Sequence, residues 1–374
     1  MSETNNQAAA AASPTAASPA AAQAPTPASA EHIPAANDAT IVPEDVITRA
    51  SGEGLENCWA NSLVSLQDDT DNESVLGGSV ASSTTSVYSS VLQYRQENGR
   101  TYHSYKEGKY ILPNDERENE RLDIQHNMFI LSFDGRLGTS PPTDPGSKVG
   151  RVLDIGTGTG VWAIDFADEH PEADILGVDL SAIQPSFAPP NVRFEIDDIE
   201  EPWTYSQPFD FIHSRGMTTS ISNWKQYIKK CYDNLVPGGY LELTEIDLQP
   251  RSDDGTLKED ASLLLFSRLW GEACEKFGRP FFKDQSVLRD MMIEVGFEST
   301  HARSFKWPSS PWAKDPKYNE LGQWNLDNMI PNLDGLVMAA LTRGHDWSRE
   351  EVTILAMNVR KEMTDPKIHS YSTM

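Results

Sequence analysis

Large apolar side chains are unevenly spread along this 374-residue chain, and residues 1–90 hold few of them. Residues 1–40 are dominated by Ala, Pro, Ser and Thr, and 41–90 are rich in Ser, Asp and Asn. Such a stretch buries too little apolar surface to offset the entropy of ordering its backbone, which predicts a disordered, low-complexity, acidic tail over 1–90. The alanine runs at 8–12 and 20–22 do not change this. Pro14, Pro19, Pro25 and Pro27 interrupt any helix before it reaches a stable length. One patch, 56–66, sets Cys58, Trp59, Leu63 and Leu66 at near-helical spacing and is a candidate docking segment.

The pattern changes beyond the tail. Over 115–133, Leu122, His126, Phe129, Ile130 and Phe133 recur at helical spacing, so 91–148 reads as a cap region whose helix packs on the sheet domain beyond it. From 149 onward short β-branched or aromatic runs alternate with helical stretches, the signature of a parallel sheet covered on both faces. Strands are expected at 149–155, 174–179, 192–197, 209–213 and 240–246, and helices at 161–169, 223–235, 258–277 and 284–295. Gly278 and Gly296 mark helix ends. A strand at 301–306 and two helices near 316–342 and 348–363 complete a domain over 149–374. The fold class is therefore α/β, a Rossmann-like sheet with helices on both faces behind a disordered tail.

Charge narrows the function. A formal charge of -25 disfavours direct binding to nucleic acid or anionic lipid, which relies on clustered Lys and Arg. Three scattered cysteines, Cys58, Cys231 and Cys274, show no metal-ligand spacing and leave one unpaired in any disulfide scheme, which fits a nuclear or cytoplasmic setting. No apolar run approaches the roughly 20 residues that span a bilayer.

The chemistry concentrates in Val152-Leu153-Asp154-Ile155-Gly156-Thr157-Gly158-Thr159-Gly160, a buried strand, a glycine turn and a helix start. Gly156, Gly158 and Gly160 let a ligand approach the backbone, with Thr157 in the same turn, and the helix start offers free amides. Dinucleotide enzymes share this architecture. Asp154 decides between the readings: a carboxylate two residues before the first glycine opposes a pyrophosphate but favours a ligand bearing an ammonium, such as S-adenosylmethionine. Asp179, at the second strand end, is placed to accept hydrogen bonds from both ribose hydroxyls. Asp198, after the third strand, is expected to accept from the adenine amino group while Leu180 and Ile199 sandwich the ring. The fourth strand ends at His213-Ser214-Arg215, at the edge where open α/β folds bind ligands.

Together DIGTGTG, VDLSAIQP, DDIEEPW and LVPGGYLELTEID resemble the fungal LaeA-like methyltransferases, and residues 97–126 look like the signature preceding the core in that family. The resemblance covers nearly all of 95–371. It implies a class I methyltransferase fold, S-adenosylmethionine as cofactor, and a role in fungal development or secondary-metabolite regulation, often in nuclear complexes with velvet-type proteins. Some relatives look instead like enzymes of metabolite gene clusters. Carried over residue by residue, cofactor binding falls on Asp154, Gly156, Gly158, Gly160, Asp179 and Asp198. Relatives continue past Ile368-His369-Ser370-Tyr371 into a last strand, whereas here Ser372, Thr373 and Met374 close the chain, so an exposed sheet edge is expected.

Methyl transfer is an in-line displacement in which alignment supplies most of the catalysis. For an acceptor that sheds a proton, His213, His126 or Glu245 is placed to take it, and His213, Arg215 and Glu245 are the candidate catalytic residues. On its apolar helix face, His126 has a plainer reading as a hydrogen-bonded core histidine. Tyr102, His103 and Tyr105 form either a lid or a surface hairpin, and Trp203, Trp224, Trp307 and Trp312 either line an acceptor pocket or pack. Three classes stand: a regulator working in a protein complex, a small-molecule methyltransferase, and a scaffold without turnover.

Overall fold

The computed structural model describes residues 94–280 and 286–374; the expectations for 1–90, including the patch at 56–66, lie outside them. A hairpin comes first, strands β1 (Arg95–Glu97) and β2 (Arg100–Tyr102), turned at Asn98 and Gly99. Both turn residues have positive φ, 52° and 79°, as an Asn-Gly hairpin turn requires. Next in the chain is helix α1 (Glu116–Ser132), started by the Asp115 side chain, which accepts from the Glu118 amide.

The central sheet is built from β3 (Arg151–Ile155), β4 (Asp174–Asp179), β5 (Val192–Ile196), β6 (Phe209–Arg215) and β7 (Leu235–Thr244), in the order β5-β4-β3-β6-β7 with every pairing parallel. Neighbours diverge on either side of β3, so its carboxyl end opens the crevice where such sheets bind ligands. Successive side chains serve opposite layers. Val152, Ile175 and Phe211 meet Trp162 and Phe166 of α2 (Val161–Glu169), while Leu153, Leu176 and Ile212 meet Trp224, Tyr227 and Ile228 of α3 (Trp224–Asp233).

The carboxyl-terminal half is mostly helical. It contains β8 (Asp247–Arg251), α4 (Ser262–Lys276), α5 (Ser286–Val295), β9 (Lys306–Pro308), α6 (Pro316–Met329), α7 (Leu333–Gly344), α8 (Arg349–Met363) and β10 (Tyr371–Thr373). Helices α4, α7 and α8 enclose a second core of Phe266, Trp270, Val337, Leu341, Val352 and Val359. Helix α6 packs on α1 around Phe129, Phe133, Trp307 and Leu321. No helix among the described residues is long and apolar enough to cross a membrane.

Several expectations need correction. The stretch 316–342 is two helices rather than one, broken at Pro331 and Asn332, because proline cannot donate its turn's hydrogen bond. Residues 235–239 belong to β7 behind an irregularity in register, not to a helix and turn. The strand expected at 301–306 lies at Lys306–Pro308. The chain's last residues do form a strand: Tyr371–Thr373 is the middle strand of a second sheet, β8-β10-β9, antiparallel to both neighbours. Met374 adds two backbone bonds to Phe305, of 2.9 and 3.0 Å.

Candidate active site

The glycine turn between β3 and α2 is held by backbone bonds to the end of β4: the Gly156 and Thr157 amides donate to the Val178 carbonyl at 2.9 and 3.1 Å. Gly156, Gly158 and Gly160 all have positive φ, 67°, 56° and 80°. Two of them also meet close neighbours. A Cβ on Gly156 would strike the Met217 sulfur, and one on Gly160 the Phe194 ring. Gly158 faces freer space, where the nearest side chain to an added Cβ is Leu122 of α1, at 3.5 Å. The turn and the start of α2 thus form a backbone cradle beneath α1.

Asp179 closes the cradle from β4. Its carboxylate accepts from the Gly158 amide (2.9 Å) and the Ser181 amide (2.9 Å), and two of its four acceptor positions remain for a ligand's hydroxyls. Burial raises its pKa to about 6, against the opposing pull of those two amides. Leu180 lies half-buried beside it.

The other acids are engaged inside the protein. Asp154 is 2% exposed and accepts from the Thr157 hydroxyl at 2.6 Å and from His213 Nδ1 at 2.7 Å. Through these two bonds the carboxylate braces the glycine turn against β6. His213, also 2% exposed, stacks on Trp162 with ring centroids 3.6 Å apart. Only its Nδ1 is engaged, and Nε2 has no hydrogen bond among the described residues. Glu245, 5% exposed, accepts from the Met217 amide at 3.0 Å and the Thr218 hydroxyl at 2.6 Å, and burial raises its pKa to about 7. Through these bonds it holds the loop after β6. Asp198 is ion-paired with Lys109, and Ile199 is buried in the cluster under α3. Ile199 also lines a cavity with Lys109, Glu200 and Arg279.

Arg215 does reach the cleft side. Its Nη2 donates to His126 Nδ1 at 3.1 Å, and its guanidinium lies 4.5 Å from the Phe129 ring centre. His126 is the buried, hydrogen-bonded core histidine of the plainer reading. Tyr102 and His103 are buried too, with both His103 ring nitrogens bonded to the backbone of Tyr105 and Tyr110, so they do not form a movable lid. The tryptophans pack: Trp224 and Trp307 are buried, and Trp203 and Trp312 donate to the carbonyls of Ile199 and Ser370.

Four residues of the cradle carry no signal of their own type. Gln184 donates to the Gly158 carbonyl at 2.7 Å, Asp123 accepts from the Thr159 hydroxyl at 2.7 Å, Lys109 neutralises Asp198, and Asp165 partners His126. Lys109, Asp123 and Gln184 lie within the family motifs, which is the only mark the chain gives of them.

A methyltransferase domain family matches residues 124–302. The chain is 42% identical over 290 residues to Methyltransferase pytC of Aspergillus terreus, covering 77% of this chain and 88% of that one. It is 37% identical to the secondary metabolism regulator LAE1 of Cochliobolus heterostrophus, covering 74% and 92%. To laeA of Emericella nidulans, named a protein-methionine methyltransferase, it is 32% identical, covering 75% of each.

Proposed function

The chain belongs to the fungal LaeA-like family of S-adenosylmethionine-dependent methyltransferases, and from that premise we propose that it methylates a thioether sulfur of a protein as a regulator of secondary metabolism. The residues present fit the donor. The cradle at Gly158 leaves room a Cβ would fill, Asp179 keeps acceptor capacity for two ribose hydroxyls, and the amides at the start of α2 face the same space. When bound, the donor supplies an electrophilic methyl group on a sulfonium leaving group.

The observation that carries the choice of acceptor is the state of the bases. Glu245, His126 and His103 are buried with their polar atoms bonded inside the protein, and His213, also buried, is bonded through Nδ1 to Asp154, which leaves its Nε2 as the one ring nitrogen among them without a hydrogen bond among the described residues. An acceptor that must lose a proton would need one of them. A methionine thioether attacks through a neutral sulfur lone pair and becomes a sulfonium without releasing a proton, so positioning alone suffices. The name of the Emericella nidulans relative supports the same acceptor. The regulator names of laeA and LAE1 support work inside a nuclear or cytoplasmic protein complex, with a velvet-type protein as the first partner to test.

The higher identity to pytC, whose name does not say regulator, supports a second reading in which the acceptor is a small molecule. One experiment separates them. The full chain is incubated with methyl-labelled donor and fungal extract, and labelled peptides are fragmented in a mass spectrometer. The proposal expects label in protein, with fragments that lose dimethyl sulfide. Label confined to small molecules, or on nitrogen or oxygen, overturns it.

A further inference from the structure

Strand β6 ends in a guanidinium that has a partner for only part of its charge. Arg215 Nη2 donates to His126 Nδ1, yet Nη1 is buried without a hydrogen-bond partner among the described residues, and no carboxylate there forms an ion pair with Arg215. The other buried arginines do have such pairs: Arg100 with Asp115, Arg121 with Glu118 and Arg279 with Glu200. Burial pushes the Arg215 guanidinium down to about 10, against the pull of Asp154, Glu242 and Asp165. A cation in this position is costly unless an anion answers it.

Its surroundings hold it in one place. A guanidinium only donates, so His126 Nδ1 is the acceptor, and Nε2 must carry the proton it gives to Asp165 Oδ2 at 2.9 Å. Asp165 lies on α2, the helix that the glycine turn begins, and His126 on α1, which covers that turn. Arg215 comes directly after Ser214, which pairs with Ile155, so it stands level with Gly156, the first residue of the turn. An unanswered positive charge beside this turn would repel a donor carrying a sulfonium and an ammonium. The donor has one anionic group, the carboxylate of its methionine half.

We propose that Arg215 receives that carboxylate through Nη1, with His126 and Asp165 as positioning residues that fix the guanidinium. This rests on the donor assignment made above. A guanidinium suits the role even with Nη2 held by His126, because its remaining N–H groups match a carboxylate in plane and charge. It also gives the site a way to distinguish the intact donor from adenosine thioethers lacking the amino-acid end.

The test uses the full chain and two ligands without any acceptor, S-adenosylhomocysteine and its decarboxylated analogue, titrated calorimetrically into the parent, Arg215→Met and Arg215→Lys. Loss of a charged hydrogen bond predicts that Arg215→Met weakens S-adenosylhomocysteine on the order of tenfold to a hundredfold, with the decarboxylated analogue held within about twofold. Arg215→Lys, which keeps the charge and loses the fork, should lose less on the same ligand. If the methionine variant does not fold, the lysine variant decides by the same ratio. Equal losses on both ligands would reduce Arg215 to a structural role, and an unchanged affinity for S-adenosylhomocysteine would assign the guanidinium to an acceptor's carboxylate; either overturns the inference. A parent that binds neither ligand instead overturns the donor assignment on which it stands.

Discussion

Along the carboxyl edge of the sheet, the β3–β4 half has the acid at the end of β4 tied to amides of the adjoining turn and of its own loop, whereas the polar groups of the β6–β7 half reach farther along the chain. Asp179 is tied to the Gly158 and Ser181 amides. On the other half Glu245 reaches back 28 residues to Met217, Arg215 reaches 89 residues to His126, and Glu242 reaches 103 residues to the Thr139 amide at 2.7 Å. The first half presents unused acceptor capacity to a ligand. The second half uses its acids to fix loops, and leaves one cation unanswered. The contrast separates a half built to bind from a half built to position.

The largest effect expected from breaking this contrast lies at Asp154. Asp154→Ala leaves the Thr157 hydroxyl and the His213 ring without their buried acceptor, which predicts a loss of about 3–5 kcal/mol in stability by urea unfolding. A variant that unfolds like the parent would return Asp154 to the cleft as a ligand contact.

Next comes the buried acid of the positioning half. The Glu245 pKa is raised from 4.5 to about 7, so its contribution to stability is full below 4.5 and is lost as pH rises through 7. The loss has an upper bound of about 3 kcal/mol. Glu245→Gln should flatten the dependence of melting temperature on pH across that window, and an equally steep dependence in the variant would assign the slope to other groups.

A smaller effect concerns ligand binding. With its pKa raised to about 6, Asp179 accepts from hydroxyls in full only above that pH. Affinity for S-adenosylhomocysteine should therefore fall as pH drops below 6, approaching about tenfold per unit. A flat calorimetric profile between pH 5 and 8 would contradict this. The last effect is at Lys109, whose substitution by Met strips the buried Asp198 carboxylate of its ion pair and should cost about 1–3 kcal/mol in stability. A change in donor affinity instead would place Asp198 at the nucleoside.

The same contrast explains what the chain discloses before it folds. The glycine turn, its strand and its helix are contiguous, and their requirement for positive φ is written in residue type, so Gly156, Gly158, Gly160 and Asp179 are legible. The parallel sheet is legible from the alternation of strands and helices for the same reason. His213 and Glu245 carry the right chemistry at the right strand ends, but whether such a group meets the cleft or the interior depends on Trp162, Asp154 and Thr218. Those partners are distant in sequence or silent in type. The strand Tyr371–Thr373 is hidden likewise, since a three-residue strand takes its place only from its partners β8 and β9.

The most direct test of the account is a calorimetric titration of S-adenosylhomocysteine into the parent and Asp179→Ala at pH 8, beside thermal unfolding of both. The account predicts saturable binding in the parent and a loss on the order of a hundredfold in a variant that still unfolds cooperatively above the titration temperature, as expected for hydrogen bonds to a charged acceptor. A folded parent that does not bind, or a variant that binds as tightly as the parent, would contradict it.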